Sequence, residues 1–196
     1  MLKDCHCCKE SNYARNPIGG TGPRSALVAV LGRNPGSKEL QQNKPFVGAV
    51  GIELTKGLMI AGIFVRSCYL TNLCKCYTPS GVTPSRFCRK ICAELWLGRE
   101  LASLSKLQIV IALGNEALQY FEPEGNVAEL HGTAFYTQKP WEREERIMLF
   151  TTYHPAIVFH APEGIKRFNS DMCALKEILD TATKGKILPW STERTV

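Results

Sequence analysis

Nine cysteines stand in this 196-residue chain, and their grouping is its first chemical signal. Cys5 and Cys8 form a C-x2-C pair, Cys76 follows the end of an apolar run, and Cys92 falls one helical turn beyond Cys88. Four thiolates hold either a 4Fe-4S cluster or a zinc ion, and spacing alone does not separate the two. Free cysteines are often small buried hydrophobes. That reading suits Cys68 and Cys173, which fall in a strand and on a helix. It suits Cys5, Cys7 and Cys8 badly, because the first 25 residues are too poor in apolar periodicity to bury three thiols. In a reducing compartment such grouping points to a metal or cluster before it points to disulfides. The second signal is a set of polar residues placed at the ends of apolar runs: Asn34, Asn72, Asn115 and His154. An isolated histidine more often caps a core carbonyl than performs chemistry, but His154 lies between Tyr153 and Pro155 at such an end. His131 and His160 have no such setting.

Four apolar runs must carry these groups. Leu27–Leu31 ends in Gly32-Arg33-Asn34-Pro35-Gly36, Cys68–Thr71 ends at Asn72, Gln108–Leu113 ends at Gly114-Asn115, and Ile147–Phe150 leads to Tyr153-His154-Pro155. Short apolar runs closed by turn residues read as buried strands. Between them, helices are predicted from Gly51 to Ala61, from Pro84 to about Leu104 with Thr83 as N-cap, and after Gly114. A last helix around Phe168–Asp180 places Phe168, Met172, Leu175 and Leu179 on one stripe. Strands alternating with helices predict an α/β fold: three αβα layers with a mostly parallel four-stranded sheet. Such sheets bind ligands outside the carboxyl ends of their strands, so the four polar ends would share one crevice. Glu122–Asn126 reads as an exposed loop.

The length fits one domain, with residues 1–25 as a wrapping arm and 183–196 as a loose tail. The 24 basic against 18 acidic residues give a net charge of +6, which favours a polyanionic partner. No run approaches the ~20 apolar residues of a bilayer span, and Met1-Leu2-Lys3-Asp4-Cys5 lacks a secretory leader's apolar run. The expectation is a cytoplasmic protein with no membrane association.

At this point the ordered motifs resemble those of the family 4, iron-sulfur type of the uracil-DNA glycosylase superfamily. The likeness runs from about Cys5 to Leu179. It rests on Cys5/Cys8, on the turn Gly32–Gly36, on Pro45-Phe46-Val47-Gly48-Ala49-Val50-Gly51, and on Tyr69-Leu70-Thr71-Asn72-Leu73-Cys74-Lys75-Cys76. Cys92-Ala93-Glu94-Leu95, Ile109–Ala117 and Thr152-Tyr153-His154-Pro155 complete it. The resemblance implies a 4Fe-4S cluster on Cys5, Cys8, Cys76 and Cys92. It also implies flipping of uracil from single- or double-stranded DNA and hydrolysis of its N-glycosidic bond by a monomer.

Under that resemblance His154 hydrogen-bonds uracil O2 as charge develops there, and Asn34 or Glu39 positions the water. Phe46 stacks on the base, Asn72 reads its Watson-Crick edge, and Gly36 and Gly48 let backbone approach base or phosphate. DNA contacts would come from Lys75, Arg86, Arg89 and Lys90, and from Ile157, Val158, Phe159 and His160, whose apolar members would wedge into the space the nucleotide leaves. Two departures are visible. Arg33-Asn34 replaces the family's usual Glu-Ala or Glu-Gly and is closer to the G-x-N-P-G of mismatch-specific enzymes, and Ala156 stands where serine is common. Three alternatives stand beside this reading: a catalytically weakened iron-sulfur DNA-binding module, a glycosylase for other deaminated bases, and a zinc-binding protein of unrelated function.

Overall fold

The computed structural model describes residues 2–13, 17–79, 82–161 and 163–184. The first run becomes β1 (Val28–Gly32), followed by α1 (Ser37–Gln42), α2 (Ala49–Ile60) and β2 (Tyr69–Asn72). Next comes α3 (Arg86–Cys92), which passes through one π-helical stretch, Ala93–Leu97, into α4 (Gly98–Ala102). Then follow β3 (Ile109–Leu113), the short α5 (Asn115–Leu118) and α6 (Val127–Leu130), β4 (Thr133–Lys139), β5 (Glu142–Thr152) and α7 (Gly164–Lys184).

The sheet runs in the order β2-β1-β3-β5-β4. It has five strands, which corrects the expected four. The first four in that order are parallel, and β4 joins β5 as an antiparallel hairpin. The added strand escaped the periodicity because it lies at an edge: most of its side chains are exposed or half-buried, and the charged start of β5 opposite it is exposed too. An antiparallel edge of this kind needs no continuous apolar run.

Alternate residues of the buried strands feed two cores, as a pleated strand requires. Ala29, Leu31, Val110, Ala112 and Leu149 face Leu97, Leu101, Ala117 and Leu118 on one side. Val28, Val30, Ile109, Ile111 and Phe150 face Leu54 and Leu58 of α2, and Phe168, Met172, Leu175 and Leu179 of α7. The three-layer αβα arrangement follows directly.

Some boundaries move. The N-cap of α3 is Ser85, whose side chain accepts a bond from Cys88 N, rather than Thr83. Ser85 N in turn donates to the buried Glu10 at 2.8 Å, so the arm fixes where this helix starts. The arm also lies along β2, with Ile18 N bonded to Lys75 O and Thr21 paired with Leu70. Helix α7 takes in residues 183 and 184 of the expected tail; residues 185–196 lie outside those described. No helix among the described residues is long and apolar enough to cross a membrane.

Candidate active site and thiol cluster

After β1 the chain goes to β2 on one side and later to β3 on the other, so the carboxyl end of β1 is the point where an open parallel sheet leaves a crevice. Asn34, Glu39, Phe46, Asn72 and His154 line a cavity of about 120 Å³ there, together with Pro35, Gly36 and Val50. Each arrives from a different segment: the turn after β1, α1, the loop before α2, the end of β2 and the turn after β5. The cavity adjoins a groove of about 850 Å³ that shares Asn34, Pro35, Gly36 and His154 with it and adds Arg33, Tyr77, Thr78, Glu116, Tyr153 and His160.

Phe46 has φ 55°, in the left-handed region that bulky residues avoid. The surroundings hold it there. The buried Glu39 carboxylate accepts from Val47 N at 2.9 Å and Gly48 N at 2.7 Å through Oε1, and from Gly36 N at 3.1 Å through Oε2. A Cβ on Gly51 would lie 1.9 Å from Phe46 O, and one on Gly32 would lie 2.5 Å from Asn72 Oδ1 and 2.8 Å from Phe46 Cζ. Gly32 is therefore the clearance that lets the ring and the amide face the same space. Gly48 is the N-cap of α2, beside Glu39.

Asn34 donates from Nδ2 to Pro35 O at 3.1 Å and Thr78 Oγ1 at 3.2 Å, and its Oδ1 accepts from Arg33 Nε at 2.9 Å. His154 caps the short 3-10 turn Pro155–Phe159, with Ala156 N donating to its Nδ1 at 3.3 Å. Burial, and after it the Arg33 guanidinium, push the imidazole down to about 4, with Glu116 pulling the other way. At neutral pH the ring is uncharged. Because Nδ1 accepts, the ring proton sits on Nε2, leaving that nitrogen a donor. Arg33 itself pairs with Glu116 at 3.2 Å.

Sequence reasoning missed the support behind this turn. The buried Asp171 of α7 accepts from Thr152 Oγ1 at 2.7 Å and contacts His131 Nδ1 at 2.7 Å, and the His131 ring packs on Tyr153 with centroids 4.7 Å apart. The available clue was a carboxylate three residues after Phe168, inside the apolar stripe of α7. Arg33 and Glu116 were visible within motifs but carried no role of their own.

The expected DNA contacts divide. Lys75 is withdrawn: it is fully buried, and its ammonium donates to Thr71 Oγ1, Asn72 O and Glu100 Oε2 at 2.7–2.8 Å. It ties the end of β2 to α4 and presents no charge outside. Arg86, Arg89 and Lys90 line a separate cleft of about 620 Å³ that meets the groove at Glu116. Ile157 and Val158 pack partly on the α2/α7 core, whereas Phe159, 54% exposed, and His160 stand out.

Cys5, Cys76 and Cys92 are buried and Cys8 half-buried. Burial, then the neighbouring thiols of Cys92, Cys8 and Cys5, push Cys76 up to about 12. Among the described residues, the thiol sets whose atoms all close to within 4.8 Å are Cys74/Cys88/Cys92 and, with Glu10, Cys8/Cys88. Cys5, Cys8 and Cys92 all lie near enough to Cys76 for their charges to act on it, and an all-thiol donor set of four suits an iron-sulfur cluster.

A family model describing the uracil DNA glycosylase superfamily matches residues 20–176, a span holding every residue of the cavity. The chain belongs to that superfamily. It is similar to the Type-4 uracil-DNA glycosylase of Saccharolobus solfataricus, 30% identical over 186 residues, covering 92% of this chain and 84% of that one. The Type-4 uracil-DNA glycosylase of Pyrobaculum aerophilum is 31% identical over 176 residues, 88% of each chain. That of Sulfurisphaera tokodaii is 27% identical over 190 residues, 93% of this chain and 84% of that one.

Proposed function

We propose that this protein is a uracil-DNA glycosylase that flips uracil from DNA and hydrolyses its N-glycosidic bond, leaving an abasic site. The observation that carries this reading is the convergence of Phe46, Asn72, Asn34 and His154 on one small cavity that adjoins a groove. The flipped base stacks on the Phe46 ring, and the Asn72 amide pairs with its N3–H and O4. Neutral His154 donates from Nε2 to O2, where negative charge gathers as the bond from C1′ to N1 breaks. A water adds to C1′, its proton passes to solvent, and uracil leaves as the anion before protonation.

Asn34 orients that water through the remaining lone pair of Oδ1. Its Nδ2 is engaged with Pro35 and Thr78, which fixes the geometry. Glu39 acts as a clamp on the Phe46 loop rather than as a base, since three backbone N–H groups occupy its oxygens. DNA runs along the groove, with Phe159 wedging beside the vacated position and Arg86 and Arg89 drawing phosphate toward the adjoining cleft. Single and double strands both serve, and the protein acts as a monomer.

Cys5, Cys8, Cys76 and Cys92 would hold a 4Fe-4S cluster, whose contribution when bound is to cross-link the arm, the segment after β2 and α3. The test of activity is incubation with single- and double-stranded oligonucleotides containing one uracil, followed by alkali. Strand cleavage at the uracil is expected. No cleavage in either form, with binding retained, would replace this reading by that of a DNA-binding module. Cleavage only at hypoxanthine or xanthine would reassign the substrate.

A further inference from the structure

Three buried cysteines remain outside the quartet proposed for the cluster: Cys68, which packs in the α2/α7 core, and the neighbouring pair Cys74 and Cys88. Cys74 and Cys88 are both fully buried, and their sulfurs lie 3.6 Å apart. Together with Cys92 they form a triad in which all sulfurs are within 4.8 Å of one another. Zinc-thiolate bonds of about 2.3 Å in a tetrahedron place neighbouring sulfurs ~3.8 Å apart. The triad has single-ion dimensions, and the quartet is not among the described sets that close this tightly. Cys88 is also within 4.8 Å of Cys8 and Glu10. Glu10 is 2% exposed, and its Oε2 is buried with no hydrogen-bond partner among the described residues. An orphaned carboxylate oxygen beside thiols is what a cation would relieve, since such a group is costly to bury unpaired.

We infer that Cys74, Cys88 and Cys92, closed by Cys8 and with Glu10 alongside, form a second thiolate site that takes one tetrahedral, zinc-class divalent cation. It overlaps the cluster site through Cys8 and Cys92, so one polypeptide accepts the iron-sulfur cluster or the single ion, never both. Cys8 is the movable member: it sits on the arm and is half-buried, whereas the other three are held within the core. Binding displaces the thiol protons to solvent and involves no oxidation or reduction. The ordinary alternative is that Cys74 and Cys88 are packing residues of the core facing α3, with no affinity for metal.

The single-ion site stands without the cluster reading; only the mutual exclusion rests on it. The test uses the whole chain, reduced, stripped of metal and kept anaerobic, titrated with cobalt(II) alone as a spectroscopic probe. The expected result is the intense visible bands of tetrahedral cobalt-thiolate at one ion per chain, displaced by zinc. Cys74→Ala and Cys88→Ala should each lose those bands, while Cys76→Ala keeps them. In parallel reconstitution with iron and sulfide, Cys74→Ala and Cys88→Ala should turn brown and Cys76→Ala should stay colourless. Failure of the iron arm alone overturns the cluster reading and leaves the cobalt result intact. Wild-type chain without tetrahedral bands, or a cobalt spectrum lost in Cys76→Ala but kept in Cys74→Ala and Cys88→Ala, overturns the second site. Circular dichroism identifies a variant that fails to fold, and the other of the two alanine variants then decides.

Discussion

The surroundings of His154 keep its imidazole neutral, as the donor role proposed for it requires. Removing the donor in His154→Ala should lower kcat about 10²-fold with KM nearly unchanged, since a group that meets developing charge acts mainly on rate. A matching loss in DNA affinity, measured on a non-hydrolysable duplex, would contradict that role. Its titration also has a defined direction. The folded-state value of about 4 lies below the ordinary 6.5, so on acidification the unfolded chain takes up this proton first. The group's contribution to stability therefore falls as pH drops from 6.5 toward 4 and levels off below that. Melting temperature followed across this window should fall less steeply in His154→Ala than in wild type. Activity should hold until the imidazole protonates. Arg33→Gln removes the second cause of the depression, so the acid limb of its pH-rate profile should move to higher pH.

At the level of the elements, the cavity proposed to hold the base is a property of turns more than of helices or strands. The turn after β1, the loop before α2 and the turn after β5 hold Asn34, Phe46 and His154, and the glycines of these segments set how closely they approach. Gly32→Ala places a methyl against Asn72 and Phe46, the groups assigned to bind the base. It should abolish most base release while shifting the melting temperature only slightly, which paired activity and calorimetry measurements check. Glu39→Gln leaves one carbonyl oxygen where two carboxylate oxygens receive three amides. Activity should fall evenly across pH, since a clamp does not titrate into the rate. A shifted acid limb in this variant would show Glu39 to be the base instead. Behind the turn that carries His154, Asp171 ties α7 to Thr152 and, through His131, to Tyr153.

Across the whole molecule, charge acts at longer range. The chain carries a net charge of +6, and of two clefts that meet at Glu116 one carries Arg33 and the other Arg86, Arg89 and Lys90. Affinity for DNA should fall linearly on a log–log plot against salt, by about 0.9 per phosphate neutralised. Arg89→Ala should reduce that slope by about 1 without altering preference for uracil. Titration over a range of salt concentrations with uracil-containing and plain duplexes checks both statements. Lys75 contributes nothing to this field at long range, because its charge is buried against Glu100.

The buried parallel strands were legible in the sequence, because a strand covered on both faces must be apolar along its whole length and ends abruptly at Gly or Asn. So were the polar residues at their ends, and with them the membership of one crevice by Asn34, Asn72 and His154, but the fourth expected member, Asn115, does not line it and instead accepts from Val127 N at 2.7 Å. Strand β4 was not, since an edge strand needs apolar residues on one face at most. Proximity across the sequence was decided by the tertiary structure alone. Nothing local to Lys75 says that Glu100 will bury it, and nothing local to Glu39 says that three amides will occupy its oxygens. The same holds for the thiols: spacing marked them as a group, but which stand at single-ion separation depends on how the arm, the segment after β2 and α3 pack together. Local sequence dictates the period and ends of each element, whereas the partner of a buried charge is set by distances between segments that meet only on folding.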